Sequence, residues 1–387
     1  MLDETPDVFG LICLICLIGR AVSVKIVVLS LLFDSLLFSA GNSLNSLEEE
    51  KNTGIVNTKV LENKTLSFLV APIPFSNPTL GTGLNVVGLY MQAQRDETSL
   101  SPTTAIIGLY SSNKSWMSGI YHEDYWGSGK HRMKAGVGLS ELNLKYYGIG
   151  NLKGNDDSID YTMSVTPIIA RYQRQLPYIN NFYCGVQYLA LIGKIETSIP
   201  SDTLPIDGSF NASALGLVAT YDTRNEVYFP THGWYSETVF NHYTKKIGSD
   251  FDTDLFKTFV TYYLPHLKGS TLATKFEYKH NSSVQPFFLL PSISLRGFDR
   301  TRYLDKTVMQ VQTEERYRFA SRLTAVAFVG AGAYGDDVTS YNSDSLVFSY
   351  GAGLRYQVLE DKRINISVDI AFGEGDSAVY LRLGEAF

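Results

Sequence analysis

The pattern that organises this chain is alternation. Residues 363–374 place Ile364, Ile366, Val368, Ile370 and Phe372 on one face, with Asn365, Ser367, Asp369, Ala371 and Gly373 on the other. Residues 346–357 set Leu346, Phe348, Tyr350, Ala352, Leu354 and Tyr356 opposite Val347, Ser349, Gly351, Gly353, Arg355 and Gln357. Between 272 and 279, Leu272, Thr274, Phe276 and Tyr278 oppose Ala273, Lys275, Glu277 and Lys279. A period of two marks strands with unlike faces. Runs of about eight to twelve residues are long for a soluble strand and suit the about 9–11 residues that a tilted strand needs to cross a bilayer.

Read this way, the chain predicts strands near 64–73, 81–93, 102–111, 114–123, 131–147, 159–173, 182–197, 211–222, 233–245, 252–266, 269–281, 306–320, 322–335, 345–357, 363–374 and 377–387. Connections after odd strands, such as 148–158, 197–210, 282–305 and 335–345, are long, whereas 267–268, 320–322 and 358–362 after even strands are tight. Long loops at one end and short periplasmic turns at the other belong to outer-membrane barrels. The expected fold is therefore all-β: a transmembrane antiparallel β-barrel of about 16 strands. Its polar face would line the lumen, keeping Lys275, Glu277, Glu314, Arg316 and Arg318 in water or in pairs. A secreted β-sandwich or propeller also alternates, but it would need a second apolar layer that these strands do not offer.

The N-terminus reads differently. Residues 9–19 and 26–38 are apolar runs separated by Arg20 and Lys25, and Ser39, Ala40 and Gly41 follow. Basic, apolar and small segments in that order predict a signal peptide over 1–41. The first run is surplus to that pattern and is explained if synthesis starts near Val24. A membrane anchor built from both runs would carry Arg20, Lys25 and Asp34 into the bilayer at high cost. A short periplasmic segment over 42–63 and a barrel over 64–387 complete the expected organisation, and after residue 41 no apolar run is long enough for a helical span.

Composition narrows the chemistry. With 33 Lys+Arg against 39 Asp+Glu, the net charge of −6 excludes a strongly basic nucleic-acid binder. Cys13, Cys16 and Cys184 form neither a disulfide framework nor a thiolate metal site. His122, His131, His232, His242, His266 and His280 form no H-x-x-x-H pair, so no metal is expected. Gly330, Gly332 and Gly335 satisfy G-x-G-x-x-G without a following helix, so no dinucleotide cofactor is expected either.

Four motifs remain. The longest loop carries Leu295-Arg296-Gly297-Phe298, and the next strand carries Glu314-Glu315-Arg316. A turn is written Asp222-Thr223-Arg224, then Phe229-Pro230-Thr231-His232-Gly233, in which Pro230 and Gly233 set the reversal. The chain closes on Leu383-Gly384-Glu385-Ala386-Phe387. Together these resemble the BamA/TamA-like bacterial surface antigen family of outer-membrane assembly and translocation barrels. The resemblance implies that the loop folds into the lumen, that Arg296 meets Glu314, and that the terminal aromatic is a signal read by the barrel-assembly machinery. It further implies Phe298 packed among Gly330, Gly332, Gly351 and Gly353. Two departures are visible. No transport repeat fits between residue 41 and the first strand, and where the family often places an acid after Phe328 this chain has Gly330.

The function so implied is non-enzymatic insertion or translocation of protein or lipid at the bacterial outer membrane, with outer-membrane lipid and a periplasmic or substrate protein as partners. Its physical basis would be a weak seam between Leu66–Ala71 and Val379–Phe387, with Pro72 and Pro74 interrupting the first strand's ladder. A solute or ion channel gated by the loop is the alternative. A barrel phospholipase is a third reading, for which no Ser-His constellation is evident.

Overall fold

The computed structural model describes residues 67–387 apart from 94, 96–98, 100, 152–155, 198–207, 227–228, 360–363 and 375–376. The expected signal peptide, the start near Val24, the 42–63 segment and the expected absence of transport repeats all concern residues outside those described. Sixteen antiparallel strands close into one barrel, each bonded to its neighbours in sequence, with the last returning to the first. The first eight are β1 (Ser67–Asn77), β2 (Gly81–Met91), β3 (Thr103–Ser111), β4 (Trp116–Trp126), β5 (His131–Tyr146), β6 (Ile159–Gln175), β7 (Phe182–Thr197) and β8 (Gly208–Asp222). The second eight are β9 (Gly233–Tyr243), β10 (Thr253–Leu267), β11 (Ser270–Asn281), β12 (Thr307–Arg318), β13 (Leu323–Gly335), β14 (Leu346–Leu359), β15 (Ile364–Phe372) and β16 (Ser377–Leu383).

The first strand departs from its expected bounds. It was expected to end near residue 73, yet β1 runs to Asn77 and passes through both prolines, with Pro72 opposite Val86 and Pro74 opposite Leu84. Proline is tolerated in a strand where the main-chain nitrogen faces away from a formed ladder.

A second departure concerns which face is apolar. At the short-turn end of β5 to β8 the outward residues are apolar and exposed: Val137, Leu139, Tyr172, Val186, Tyr188, Leu215 and Leu217. Toward the long-loop end of the same strands the apolar residues turn inward and are buried: Leu142, Leu144, Tyr161, Met163, Ile195 and Phe210. Outward neighbours there are Asn143, Lys145, Thr162, Ser164, Lys194 and Asn211. The strand geometry does not slip, since Val137 pairs with Ile168 and Ser140 with Val165 in one register. It is the sequence that switches face. These strands hold 15 to 17 residues, several more than the about 9–11 that span a bilayer. At the long-loop end this surplus is polar outside and packed with apolar side chains inside, the pattern suited to a segment that stands in water around a packed core.

That core is filled by the loop between β11 and β12. Phe287, Phe288, Leu289 and Leu290 are buried in one cluster with Tyr146, Tyr161, Phe210 and Tyr243, and Phe287 stands 4.7 Å from the Tyr146 ring. The expectation that a polar face lines the whole lumen therefore holds for the wall behind Glu314 and Arg316 and fails for this half. The loop is also tied to its neighbour between β5 and β6. Gly150 N donates to Leu304 O at 2.8 Å and Arg302 pairs with Asp156, while β13 holds the same neighbour through Tyr334 Oη, which donates to Asn151 O at 2.7 Å.

Candidate functional site

Past its apolar half, the loop descends to a cluster of buried charges. Leu295, Arg296 and Phe298 are each at most 5% exposed. Arg296 Nη1 donates to Asp369 Oδ2 on β15 at 2.9 Å. Its Nη2 lies 2.5 Å from Glu314 Oε2 on β12, in ion-pair contact but off the axis of a hydrogen bond. The guanidinium also sits 3.4 Å above the Phe328 ring centroid, a cation–π contact that helps to offset desolvation. Arg316 Nε donates to Glu314 Oε1 at 2.7 Å. Arg355 on β14 donates to Asp369 Oδ1 at 2.5 Å and to Glu385 Oε2 at 2.8 Å. Arg382 on β16 donates to Asp369 Oδ2 at 2.8 Å. Buried charges persist only when paired in this manner.

The acid missing at Gly330 is thus replaced by Asp369, a residue on the polar face of its strand that motif reading passed over. Gly330 has a different use. A Cβ there would stand 3.0 Å from Leu295 Cδ2, so the bare backbone leaves room for the loop. Phe298 does not pack among Gly330, Gly332, Gly351 and Gly353. Its ring lies against Gly373 and 5.7 Å from Tyr303, because Gly297 turns the chain toward the last hairpin first. Gly297 has φ +100°, and a Cβ on it would meet the Phe372 and Gly373 backbone at 2.8–3.0 Å. Its N–H donates to Tyr380 Oη on β16 at 2.9 Å.

A second attachment lies higher in the loop. Lys279 Nζ donates to Ser292 O at 3.3 Å and Ser294 Oγ at 3.1 Å, and it pairs with Glu277 at 3.2 Å. Ser294 N donates to Gln310 Oε1 at 2.9 Å. At the loop's return, burial pushes the Asp305 carboxyl above its ordinary value although Lys306 N donates to it.

The turn and the terminus reach the same cluster from the other end. Arg224 holds Asp222 through Nε at 2.9 Å and Nη2 at 2.7 Å, while Thr223 Oγ1 accepts from Trp234 N at 3.0 Å. Asn225 Oδ1 accepts from Thr231 N at 3.0 Å, and Gly233 opens β9 at φ +108°. Phe229, after which Pro230 turns the chain, is buried with Arg318 Cζ 5.2 Å from its ring. Beyond Leu383 the chain turns at Gly384 (φ +89°) into the lumen. Phe387 is buried there with Tyr263 and Ala273, and its main-chain oxygen accepts from Arg316 Nη2 at 2.7 Å. The motifs did not signal that inward course.

The remaining feature is the closure of the barrel. Thr82 N donates to Ser112 Oγ, and Ser112 N donates to Thr82 O, so Thr82 turns its main-chain groups toward β3. Its partner Ser76 therefore turns its own toward β16, where it pairs with Leu381. Pro74 and Pro72 share that direction. The next ladder positions would be Pro74 opposite Leu383 and Pro72 opposite Glu385, and neither proline has an N–H to give. The prolines leave β1 fully paired with β2 from Ser67–Met91 to Asn77–Gly81. What they remove is two donors at the seam, in keeping with a paired register between β1 and β16 that, among the described residues, is the single position Ser76–Leu381.

Comparison with known families places this barrel. The Omp85 superfamily domain matches residues 120–387. The chain belongs to the Omp85 superfamily. The BamA/TamA-like resemblance falls within it, and the chain is an outer-membrane β-barrel. Among solved structures it is similar to BamA from Haemophilus ducreyi lacking POTRA domains 1-3, at 13% identity and TM-score 0.56, covering 83% of this chain and 70% of that one. CdiB from Escherichia coli is similar at 13% identity and TM-score 0.57, covering 84% and 63%. CdiB from Acinetobacter baumannii gives 8% identity and TM-score 0.56, covering 84% and 60%. This Omp85 chain thus spans less than two thirds of either CdiB chain, and the likenesses concern the fold. No curated protein matches.

Proposed function

We propose that this Omp85 barrel acts without chemistry of its own, in insertion or translocation of polypeptide or lipid at the outer membrane, by opening the seam between β1 and β16. The observation that carries the reading is the seam itself, in which two successive donor positions of β1 facing β16 are prolines. A sheet edge left short of partners opens at low cost and exposes a path between lumen and bilayer. In this reading Leu295–Phe298 with Glu314 and Arg316 latch the loop, and the Asp222–Gly233 turn braces the floor beneath them. Leu383, Gly384 and Phe387 serve insertion of the barrel by the assembly machinery, and a periplasmic partner delivers the substrate. The loop core around Phe287 and Phe288 weighs against a standing solute channel, because an aqueous path needs an unfilled lumen.

The test is a locked seam. Ser76→Cys with Leu381→Cys should form a disulfide across the paired position, stop client insertion into reconstituted vesicles, and release it on reduction. Full activity in the oxidised, cross-linked barrel would overturn the reading. Steady conductance in planar bilayers that the lock leaves unchanged would favour the channel.

A further inference from the structure

The lumen face of β9 to β11 carries more positive than negative charge. The registers put Lys257 opposite Lys279, Glu277 opposite Phe259 and Phe259 opposite Glu237, so Glu237, Lys257, Lys275, Glu277 and Lys279 share one side. That side is the lumen, since Glu277 and Lys279 are buried while Phe276 between Lys275 and Glu277 is exposed outside. The loop adds Arg300, within electrostatic range of Glu277 and Lys279. Four cations thus stand over two carboxylates.

Both carboxylates are already engaged. Glu277 is met by Lys279 at 3.2 Å and accepts from Ser294 Oγ at 3.2 Å and from Gln310 Nε2, while Glu237 accepts from Arg171 Nη1 of β6 at 2.9 Å. Among the described residues the Arg300 guanidinium makes neither an ion pair nor a hydrogen bond, and Asp299 beside it accepts from Thr301 N and Oγ1 instead. A second donor also lacks an acceptor. Gln312 is 8% exposed, its Nε2 has no hydrogen-bond partner, and the register sets it beside Lys275 on the lumen face. A buried donor without an acceptor is costly, as is a surplus of desolvated charge. Lys257, Lys275 and Arg300 face inward yet are only half-buried, so side chains do not fill the lumen in front of them. The loop core of Phe287 and Phe288 bounds that space above, and Phe387 with Tyr263 and Ala273 bounds it below. It suits a small ion better than an extended chain.

We propose that Arg300, Lys257 and Lys275, with Gln312 as a neutral donor at the edge, form a lumen binding site for a small free oxyanion of the phosphate class. The ion would tie the loop to β10 and β11 from within. Arg300 offers a planar fork to two oxygens of such an ion, and the lysine ammonium groups add point charges. Lys275 Nζ stands 4.8 Å from the centroid of Phe259, the residue next to Lys257 on the lumen face of β10, which brings the two lysines to one neighbourhood. The site requires no opening of the seam, and its residues are distinct from those that hold Arg296.

The experiment uses the full barrel in detergent micelles with inorganic phosphate as the probe and chloride holding the ionic strength. Equilibrium dialysis of radiolabelled phosphate should show saturable binding to a single site per barrel, and Arg300→Gln should raise the half-saturating concentration by about tenfold or more. Lys257→Gln and Lys275→Gln should each raise it less. Lys194→Gln, at an exposed pair on the outer wall, should bind as the parent does. Heat-modifiability supplies the second readout. Without phosphate the Arg300→Gln barrel should unfold at a temperature no lower than the parent, because an uncompensated charge is gone, whereas at saturating phosphate the parent should be the more stable. General salting effects act on both barrels alike and cannot reverse the order. The site would be overturned by an absence of saturable binding, by binding that Arg300→Gln leaves unchanged, or by an order of stability that does not reverse. Displacement of the label by excess dihexanoyl phosphatidic acid would overturn the free ion as ligand and assign the site to a lipid phosphate.

Discussion

Arg296 of the loop and Arg382 of β16 donate to the same oxygen, Asp369 Oδ2, at 2.9 and 2.8 Å. One carboxylate thus ties the lumen loop to the strand that forms the seam. Gly297 N–H to Tyr380 Oη adds a second tie between the same two elements.

Asp369→Asn should loosen both together. Removing one member of a buried ion cluster costs about 3–5 kcal/mol, so the variant should unfold at lower temperature on a heat-modifiability gel and admit protease to residues 282–306. Lys194→Ala, which breaks an exposed pair with Glu196, should change little, within about 1 kcal/mol. If the two variants behave alike, the cluster does not hold the loop.

Gly297→Ala tests the close approach without touching charge. The added methyl meets the Phe372 and Gly373 backbone at 2.8–3.0 Å and adopts φ +100°, and left-handed backbone alone costs about 1–2 kcal/mol for an L-residue. Protease sensitivity of the loop should rise while β-sheet circular dichroism stays. An unaltered digestion pattern would argue that the tetrad is not seated against the last hairpin.

Restoring donors to β1 should act in the opposite sense. Pro72→Val with Pro74→Val returns two N–H groups to the edge facing β16, each worth about 0.5–1.5 kcal/mol when bonded. The expected result is a higher unfolding temperature, slower amide exchange around Leu383, and reduced insertion activity. A barrel with unchanged stability and activity would show that something other than proline keeps the seam open.

The switch of faces on β5 to β8 sets the outer boundary of the membrane. Asn143→Cys and Ser164→Cys should react with an impermeant maleimide added outside, whereas Leu139→Cys and Leu215→Cys should not. Labelling in the reverse order would place the bilayer over the wrong half of these strands.

Much of this was legible in the chain itself. Period-two alternation is local, so Ile366, Val368 and Ile370 declare their face without reference to any other strand, and the expected strands lie close to the observed ones. The same rule placed Asp369 and Arg355 on the lumen face, but alternation cannot say which lumen charges meet. The inversion between Leu139 and Leu142 was also present in the sequence. It was masked because each half alternates correctly when read alone.

What only the tertiary structure decided are the relations that depend on closure. Arg296 and Asp369 are 73 residues apart and meet because the loop enters a closed wall. Pro72 and Pro74 read as breaks in a strand, and only the register with β2 shows that their missing donors face β16. Phe387 closes the sequence like an outward signal, yet the turn at Gly384 and the Arg316 guanidinium draw it into the lumen. A residue's face follows from its own position in a strand, whereas its partner depends on the path of every strand between.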